Sequence, residues 1–378
     1  MTPQLRLLFV DDEPLILRSI ERALKTRKVT WHARFVESGE VALQALAREP
    51  FDVVIADLRI PDLCGVELLF EVQRRYPKIA RLVLSGQVGT DDCLRAMRVA
   101  HQCMAKPCNI STLIGVVQRL SWSISLVEDG DVSTLATRMS CLPSPPRVHF
   151  DVCAAISRNA GLAEIAKIID NDLALTAKMI QIVNSAFFTQ GTQVTTMQRA
   201  LSVLGTDVVR DLLLGVEVFR GFDGTGLDIA KIEELMQHSK LVAQLARELA
   251  PYELASEAFV AGMLHDIGKL VLAALEVDEA TVDHARAGGF LLGLWGIAEP
   301  IVDAITYHHD PGSAPADRTQ LVDIVHAAAV VTNELEAAAG RRDAVEVIDA
   351  AWSGRNGSAA LERARAAGAK LWEHASCG

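Results

Sequence analysis

Five polar residues in the first third of the chain stand where apolar runs end, and together they could transfer a phosphoryl group. They are Asp11, Asp12, Asp57, Ser85 and Lys106. Clustered carboxylates repel one another, so they indicate a hard divalent cation, and an all-oxygen ligand set suits Mg²⁺. With Mg²⁺ beside it, the Asp57 carboxylate could act as a nucleophile toward phosphorus. The Lys106 ammonium and the Ser85 hydroxyl could then bind the phosphoryl oxygens.

A second set of residues, all in the last 150 positions, has the chemistry of transition-metal ligands. It comprises His238, His265, Asp266, His284, His308 and His309. Imidazole and carboxylate together suit Fe, Mn, Ni or Zn. Two such ions could activate a water for phosphodiester cleavage, with Lys269 near the phosphate. The alternative is structural, because a buried histidine is commonly satisfied by a backbone carbonyl.

The first set must be positioned by alternating strands and helices. Apolar runs at residues 5–10, 51–56, 81–84 and just before Lys106 predict strands. Between and after them, periodic segments predict helices at residues 14–23, 39–47, 65–75, 90–98 and 109–127. This alternation predicts a parallel sheet covered on both faces. The carboxyl ends of its strands would bring the five polar residues to one edge.

The pattern changes after a Pro-rich stretch at residues 141–146, which cannot be helical. From there on, apolar residues recur at helical spacing, and an all-α region is predicted. We therefore predict four parts of the chain: an α/β domain at 1–122, a helical connector and Pro-rich linker at 123–146, an all-α domain at 147–340, and a helical tail at 341–378 that packs on that domain.

Charge is distributed unevenly and argues against nucleic-acid binding. Residues 1–126 hold 17 basic and 14 acidic side chains, whereas the remainder holds 20 and 34 and has a net charge of −14. Contact with DNA normally needs a basic face. No apolar stretch is long enough to span a bilayer. Seven cysteines without a CxxC spacing suggest a reducing compartment, so a cytoplasmic protein is expected.

The first constellation resembles the receiver domain of bacterial two-component response regulators, in order, spacing and strand context. The resemblance implies a flavodoxin-like, doubly wound, five-stranded parallel sheet and a cognate histidine kinase as partner. It implies that Asp57 is the phosphoacceptor, with Mg²⁺ held by Asp11, Asp12 and Asp57, and that Ser85 and Lys106 sense the phosphate. Cys103 departs from the family, which usually has Tyr or Phe three residues before the lysine.

The second constellation resembles the HD superfamily of metal-dependent phosphohydrolases, and more closely its HDOD branch. The similarity extends over about residues 135–335. Its motifs include Gly262-Met-Leu-His-Asp-Ile-Gly-Lys269 and His308-His-Asp-Pro311. The HDOD branch implies a non-hydrolytic signalling module that contacts a protein partner or changes its dimer state with phosphorylation.

Two departures concern hydrolysis. Ala329 stands where a catalytic HD site has a late Asp, and Asp323 would face elsewhere. The His308-His309 pair also lacks the Gly-Tyr-Pro signature of the branch that cleaves cyclic di-GMP. The alternatives are a metal-dependent phosphohydrolase of a nucleotide second messenger, such as a cyclic dinucleotide, and a domain that binds such a nucleotide without cleaving it.

Overall fold

The computed structural model describes residues 5–85, 96, 99–106, 110–128, 147–172, 175–176, 179–180, 194–221, 229–316, 319–340, 352 and 358–376. The side chains of Ser85 and Cys103 lie outside that description. By contacts the chain divides into one unit of residues 1–160 and 291–296 and a second of 161–290 and 297–378. The finer domain boundaries drawn from the sequence remain predictions.

The first unit is built on a five-stranded parallel sheet, as predicted. Its strands are β1 (Arg6–Val10), β2 (His32–Val36), β3 (Val53–Asp57), β4 (Ala80–Ser85) and β5 (Gln102–Ala105), in the order β2-β1-β3-β4-β5. Every residue of the central strand β3 is buried, as expected for a parallel strand covered on both faces. The β2 strand is the one element of the sheet that no apolar run indicated, because four of its five residues are exposed or only partly buried.

The first four described helices of this unit begin and end within three residues of their predicted limits, and no limits were predicted for the fifth. They are α1 (Pro14–Thr26), α2 (Gly39–Arg48), α3 (Gly65–Arg75), α4 (Ile110–Glu128) and α5 (Arg147–Ser157). The helix predicted at 90–98 lies outside the described residues. Asp62 has a capping role at α2: it accepts hydrogen bonds from the Gly39 and Glu40 amides and the Ser38 hydroxyl. These donors hold the pKa of Asp62 far below its usual range.

The second unit is helical throughout the part of it that is described. Its helices are α6 (Leu162–Asp170), α7 (Met197–Leu204), α8 (Thr206–Gly221), α9 (Ile229–Leu249), α10 (Ala255–Leu264), α11 (Ile267–Ala274), α12 (His284–Leu294), α13 (Glu299–Thr306), α14 (Thr319–Ala338) and α15 (Ser358–Ser376). By contacts, residues 291–294 of α12 belong to the first unit. His265 and Asp266 occupy the corner between α10 and α11. Among the described residues, no helix is long and apolar enough to cross a membrane.

Candidate functional site

The carboxyl edge of the sheet brings three carboxylates together. β1 and β3 are hydrogen-bonded neighbours, so Asp11 and Asp12 after β1 lie beside Asp57 at the end of β3. One oxygen from each lies within 4.8 Å of the others, a spacing that a metal ion could occupy. Asp11 and Asp57 are buried, whereas Asp12 is exposed. The donor set is all oxygen, which fits Mg²⁺.

Lys106, which follows β5, balances this negative charge. Its Nζ lies 2.6 Å from Asp11 Oδ2 and 3.0 Å from Asp57 Oδ1. Burial alone would lower the pKa of Lys106, but hydrogen bonds to the two carboxylates outweigh it and leave the pKa raised. Lys106 is therefore a charged ammonium at neutral pH, directed at the carboxylate that would accept phosphorus.

The remaining residues of the first constellation are placed by their backbones. In the β3–β4 ladder Asp57 pairs with Leu84, so Ser85 ends the strand next to the one that carries Asp57. Cys103 lies within β5, opposite Val83.

Gly65, which sequence reasoning did not single out, packs directly behind Asp57. A Cβ at this position would lie 1.9 Å from the Asp57 carbonyl oxygen. The Gly65 amide also donates to the Leu58 carbonyl at 3.1 Å. The start of α3 thus holds the backbone of the β3 terminus, and only glycine fits there. The sequence feature that could have indicated this packing role is a glycine at the first position of a predicted helix, eight residues after Asp57.

In the helical unit, a single carboxylate lies at the centre of the second constellation. Asp266 Oδ1 is 3.1 Å from His284 Nε2 and 3.9 Å from His308 Nε2. Asp266 Oδ2 is 2.7 Å from Lys269 Nζ, with two further Nε2 atoms at 3.5 Å (His265) and 3.7 Å (His238). Burial disfavours the ionised carboxylate, yet His265, His284 and Lys269 hold the pKa of Asp266 well below its usual range.

Three of the histidines are oriented by acceptors behind them. The Nδ1 atoms of His265 and His308 lie 2.8 Å and 2.7 Å from the carbonyl oxygens of Gly262 and Ile305. The Nδ1 of His238 lies 2.8 Å from Glu336 Oε2. Carbonyl and carboxylate oxygens only accept, so each Nδ1 carries the proton. In a neutral ring the Nε2 lone pair is then available, and all three Nε2 atoms face Asp266.

Burial keeps two of these rings neutral. It lowers the pKa of His265 to about 4 and that of His308 well below its ordinary value, in each case against the attraction of Asp266. His308 Nε2 is buried and has no hydrogen-bond partner among the described residues. An acceptor in that state is costly unless something binds it.

The ligand atoms form two overlapping groups. The four-ligand group comprises Asp266, His284, His308 and His309, and the three-ligand group comprises His238, His265 and Asp266. Atoms within each group lie within 4.8 Å of one another, and Asp266 belongs to both. His284 and His309 also meet directly, Nε2 to Nε2 at 3.0 Å. The lone pairs, the ionised carboxylate and the unsatisfied nitrogen fit a transition-metal centre of Fe, Mn, Ni or Zn.

Helix α14 places several side chains near the second constellation. Ala329 and Asp323 were considered from the sequence, whereas Glu336 was not singled out. Ala329 is fully buried and carries no carboxylate. Asp323 instead accepts a hydrogen bond from the Trp352 indole at 2.7 Å. His326 lies behind the four-ligand group, with Nδ1 2.6 Å from the His308 carbonyl. Glu336, the missed residue, lies seven positions after Ala329 and therefore on the same helix face, which was the available signal.

Comparison with protein families assigns both regions. The response regulator receiver domain model matches residues 7–118, the HDOD domain model residues 142–281, and the HD domain model residues 235–342. An uncharacterised protein of Treponema pallidum is 22% identical over 51% of this chain and 42% of its own length. The response regulator protein FleR of Pseudomonas aeruginosa is 31% identical over 41% of this chain and 33% of its own length. The chain thus spans less than half of either relative.

Among solved structures, the signal receiver domain of an HD domain-containing protein from Pseudomonas fluorescens Pf-5 is similar over 33% of this chain and 92% of its own. The sequence identity is 23% and the TM-score is 0.32.

Proposed function

We propose that this response regulator, in which a receiver domain is followed by an HDOD domain, accepts a phosphoryl group on Asp57 and passes that state to the HDOD domain. The observation that carries the proposal is the triangle of Asp57, Asp11 and Lys106 at the carboxyl edge of the sheet. A nucleophilic carboxylate, cation ligands and a charged ammonium all lie within contact distance there.

The chemistry follows from those positions. Asp57 attacks the phosphorus of a phosphohistidine on a cognate kinase, so that a P–O bond forms as the P–N bond breaks. Asp11, Asp12 and Asp57 would hold Mg²⁺, which when bound neutralises charge on the incoming phosphoryl group. Lys106 can exchange its contact with Asp57 for the new phosphoryl oxygens, because they carry more negative charge.

The output that we propose is a protein–protein contact or a change in dimer state. The acidic balance beyond residue 126 disfavours DNA as the target. A lysine freed from Asp57, together with the Ser85 hydroxyl, would shift a two-state loop and helix arrangement at the sheet edge. Helix α4 and the segment after it would carry that shift onward.

The test is phosphorylation of the full chain with acetyl phosphate and Mg²⁺, followed by intact mass and by light scattering for the dimer state. Asp57→Asn should abolish the added phosphoryl group in the intact mass. It should also abolish any phosphorylation-dependent change in the dimer state measured by light scattering. Asp52→Asn is the matched control, because Asp52 caps the Arg6 amide away from the site and an amide oxygen can still accept that bond. A phosphodonor response that survives Asp57→Asn would refute the proposal.

A second candidate function is specifically favoured by the Nε2 atoms directed at Asp266: metal binding, and with it hydrolysis of a nucleotide second messenger such as a cyclic dinucleotide. Ala329 weighs against hydrolysis, since it leaves the three-ligand group without a second carboxylate. Metal binding without turnover is compatible with the whole donor set.

Metal content separates these outcomes. Full-length protein produced with added Mn²⁺ or Fe²⁺ should retain metal, and Asp266→Ala should lose it. Asp278→Ala is the control, since Asp278 is an exposed turn residue of the same unit. Retained metal would justify assays with cyclic dinucleotides. Protein that retains no metal with either Mn²⁺ or Fe²⁺ would exclude the second candidate function. The phosphorylation-controlled interaction module would then be the remaining proposal.

A further inference from the structure

A carboxylate–imidazole pair lies directly behind the three-ligand group. Glu336 Oε2 is 2.8 Å from His238 Nδ1, and the two side chains are 8% and 2% exposed. The carboxylate can only accept, so it fixes the ring proton on Nδ1 and turns Nε2 toward Asp266, 3.7 Å away. The pair joins α14 to α9.

This arrangement differs from those at the other two oriented histidines. His265 and His308 each donate Nδ1–H to a backbone carbonyl, which is a neutral dipole. His238 alone among these three donates to a side-chain carboxylate. A carboxylate behind an imidazole makes the ring a stronger base toward a metal, and such outer partners alter metal affinity substantially.

The Glu336–His238 pair also adjoins a ligand group that has only one carboxylate. The three-ligand group has one carboxylate, and Ala329, which stands where the resemblance to catalytic HD sites implies a late Asp, is buried and supplies none. Glu336 is two turns further along the same helix. Its oxygens are not among the ligand atoms that cluster within 4.8 Å, so it acts through His238 rather than as a ligand itself.

We propose that Glu336 is a positioning residue that offsets the alanine at 329 by transmitting its negative charge through His238. The consequence is a centre with two unequal positions. The four-ligand group binds a metal ion first, and the three-ligand group binds a second, weaker one whose affinity depends on Glu336. This inference rests on the metal-binding function proposed above.

The experiment is a Co²⁺ titration of the metal-stripped full chain in excess Mg²⁺, which occupies Asp11, Asp12 and Asp57, and it is monitored by ligand-field absorption and by the metal-to-protein ratio. Wild type should show two phases. Glu336→Gln keeps the size and an acceptor oxygen but removes the charge, so it should weaken only the second phase, by roughly 10- to 100-fold. Glu336→Asp, which retains the charge, should recover part of that loss.

Glu334→Gln is the matched control, because Glu334 lies two residues earlier on α14 and pairs with Arg365 at the surface. Both phases should remain as in wild type. Equal titrations for Glu336→Gln and wild type would overturn the inference, as would equal weakening of both phases or failure of Glu336→Asp to recover any affinity. A wild-type chain that binds no Co²⁺ would refute the metal function itself, a result distinct from normal binding that is insensitive to Glu336.

Discussion

The two candidate sites are each organised around one buried aspartate in contact with one lysine, yet they differ in everything else around it. Asp57 has two more carboxylates beside it, whereas Asp266 is surrounded by imidazoles. The sheet edge therefore carries excess negative charge and suits a hard cation. The helical pocket offers neutral nitrogen donors and suits a transition metal. The identity of the neighbours, more than the central carboxylate, decides the chemistry.

The largest expected effect tests whether the sites are chemically independent. Asp266→Asn removes the carboxylate shared by both ligand groups, so transition-metal affinity should fall by more than about 100-fold, beyond the usual effect of an outer-shell partner. Binding of Mg²⁺ at the sheet edge should be unchanged. Isothermal titration with Zn²⁺ measures the first, because imidazole ligands suit Zn²⁺, and titration with Mg²⁺ measures the second.

Asp57→Asn should give the reverse pattern, weakening Mg²⁺ and sparing the transition metal. If either variant impaired both metals equally, the two sites would not be separate centres and the comparison would fail.

The next effect concerns the glycines that pack behind each site. A Cβ at Gly65 would lie 1.9 Å from the Asp57 carbonyl, and one at Gly268 would lie 1.8 Å from the His284 carbonyl. Overpacking typically costs 1–3 kcal/mol, and backbone cannot rotate away, so each Ala variant should lose about 3 kcal/mol of unfolding free energy. Chemical denaturation measures the loss.

Each glycine variant should also impair its own site alone: phosphoryl acceptance for Gly65→Ala, and metal binding for Gly268→Ala. Gly161→Ala is the control, since its Cβ would meet nothing within 4 Å, and it should cost no more than about 1 kcal/mol as a helix-capping position. Losses for the site glycines no larger than for Gly161 would contradict the packing argument.

These glycines also illustrate which contacts could not be predicted from the sequence. The runs ending in Asp57 and Lys106 predicted the sheet edge because strand ends of a parallel sheet must converge there. Helical periodicity predicted the second unit, but it fixes no tertiary contact. Nothing local to Glu336 pointed to His238, which is 98 residues away. Gly65 and Gly268 were given no role from the sequence, although Gly268 lies within a quoted motif, because each leaves space for a backbone that only the folded chain brings close.

The next prediction compares the two lysines, whose substitution should cost less unfolding free energy than that of the site glycines. Lys106 contacts two carboxylates and is the cation beside them, whereas Lys269 shares Asp266 with several imidazoles and is more exposed. Breaking a fully buried pair costs 3–5 kcal/mol, so the partly exposed Lys106→Met should lose about 1–3 kcal/mol of unfolding free energy without Mg²⁺. Lys269→Met should lose a similar amount, because it leaves Asp266, whose side chain is 2% exposed, without an ammonium partner.

Denaturation with and without Mg²⁺ sharpens this contrast. Added Mg²⁺ should stabilise Lys106→Met more than wild type, because the cation replaces the missing positive charge. Added Mg²⁺ should stabilise Lys269→Met and wild type equally. Equal stabilisation of the two lysine variants by Mg²⁺ would mean that the charge balance at the two sites is alike.

The smallest effect compares how the two units use a neutral histidine. In the helical pocket, ring lone pairs point at a ligand position. In the receiver unit, His101 Nδ1 accepts a hydrogen bond from the Arg81 backbone amide at 3.1 Å, and His101 Nε2 lies 2.8 Å from Arg81 Nη2. Burial, reinforced by the Arg81 charge, holds the pKa of His101 well below its ordinary value.

Since the folded-state pKa lies below the unfolded value of about 6.5, the stability from neutral His101 is complete above that pH and declines as pH falls below it. The slope should approach about 1.4 kcal/mol per pH unit. Hydrogen exchange of the β4 and β5 amides between pH 7 and 5, corrected for intrinsic rates, measures it locally. His101→Asn should flatten the slope, while the exposed His32→Asn on β2 should not. A wild-type slope matching that of His101→Asn would mean that the ring gains its proton in the folded state despite Arg81, and that burial in this unit does not keep histidine neutral as it does around Asp266.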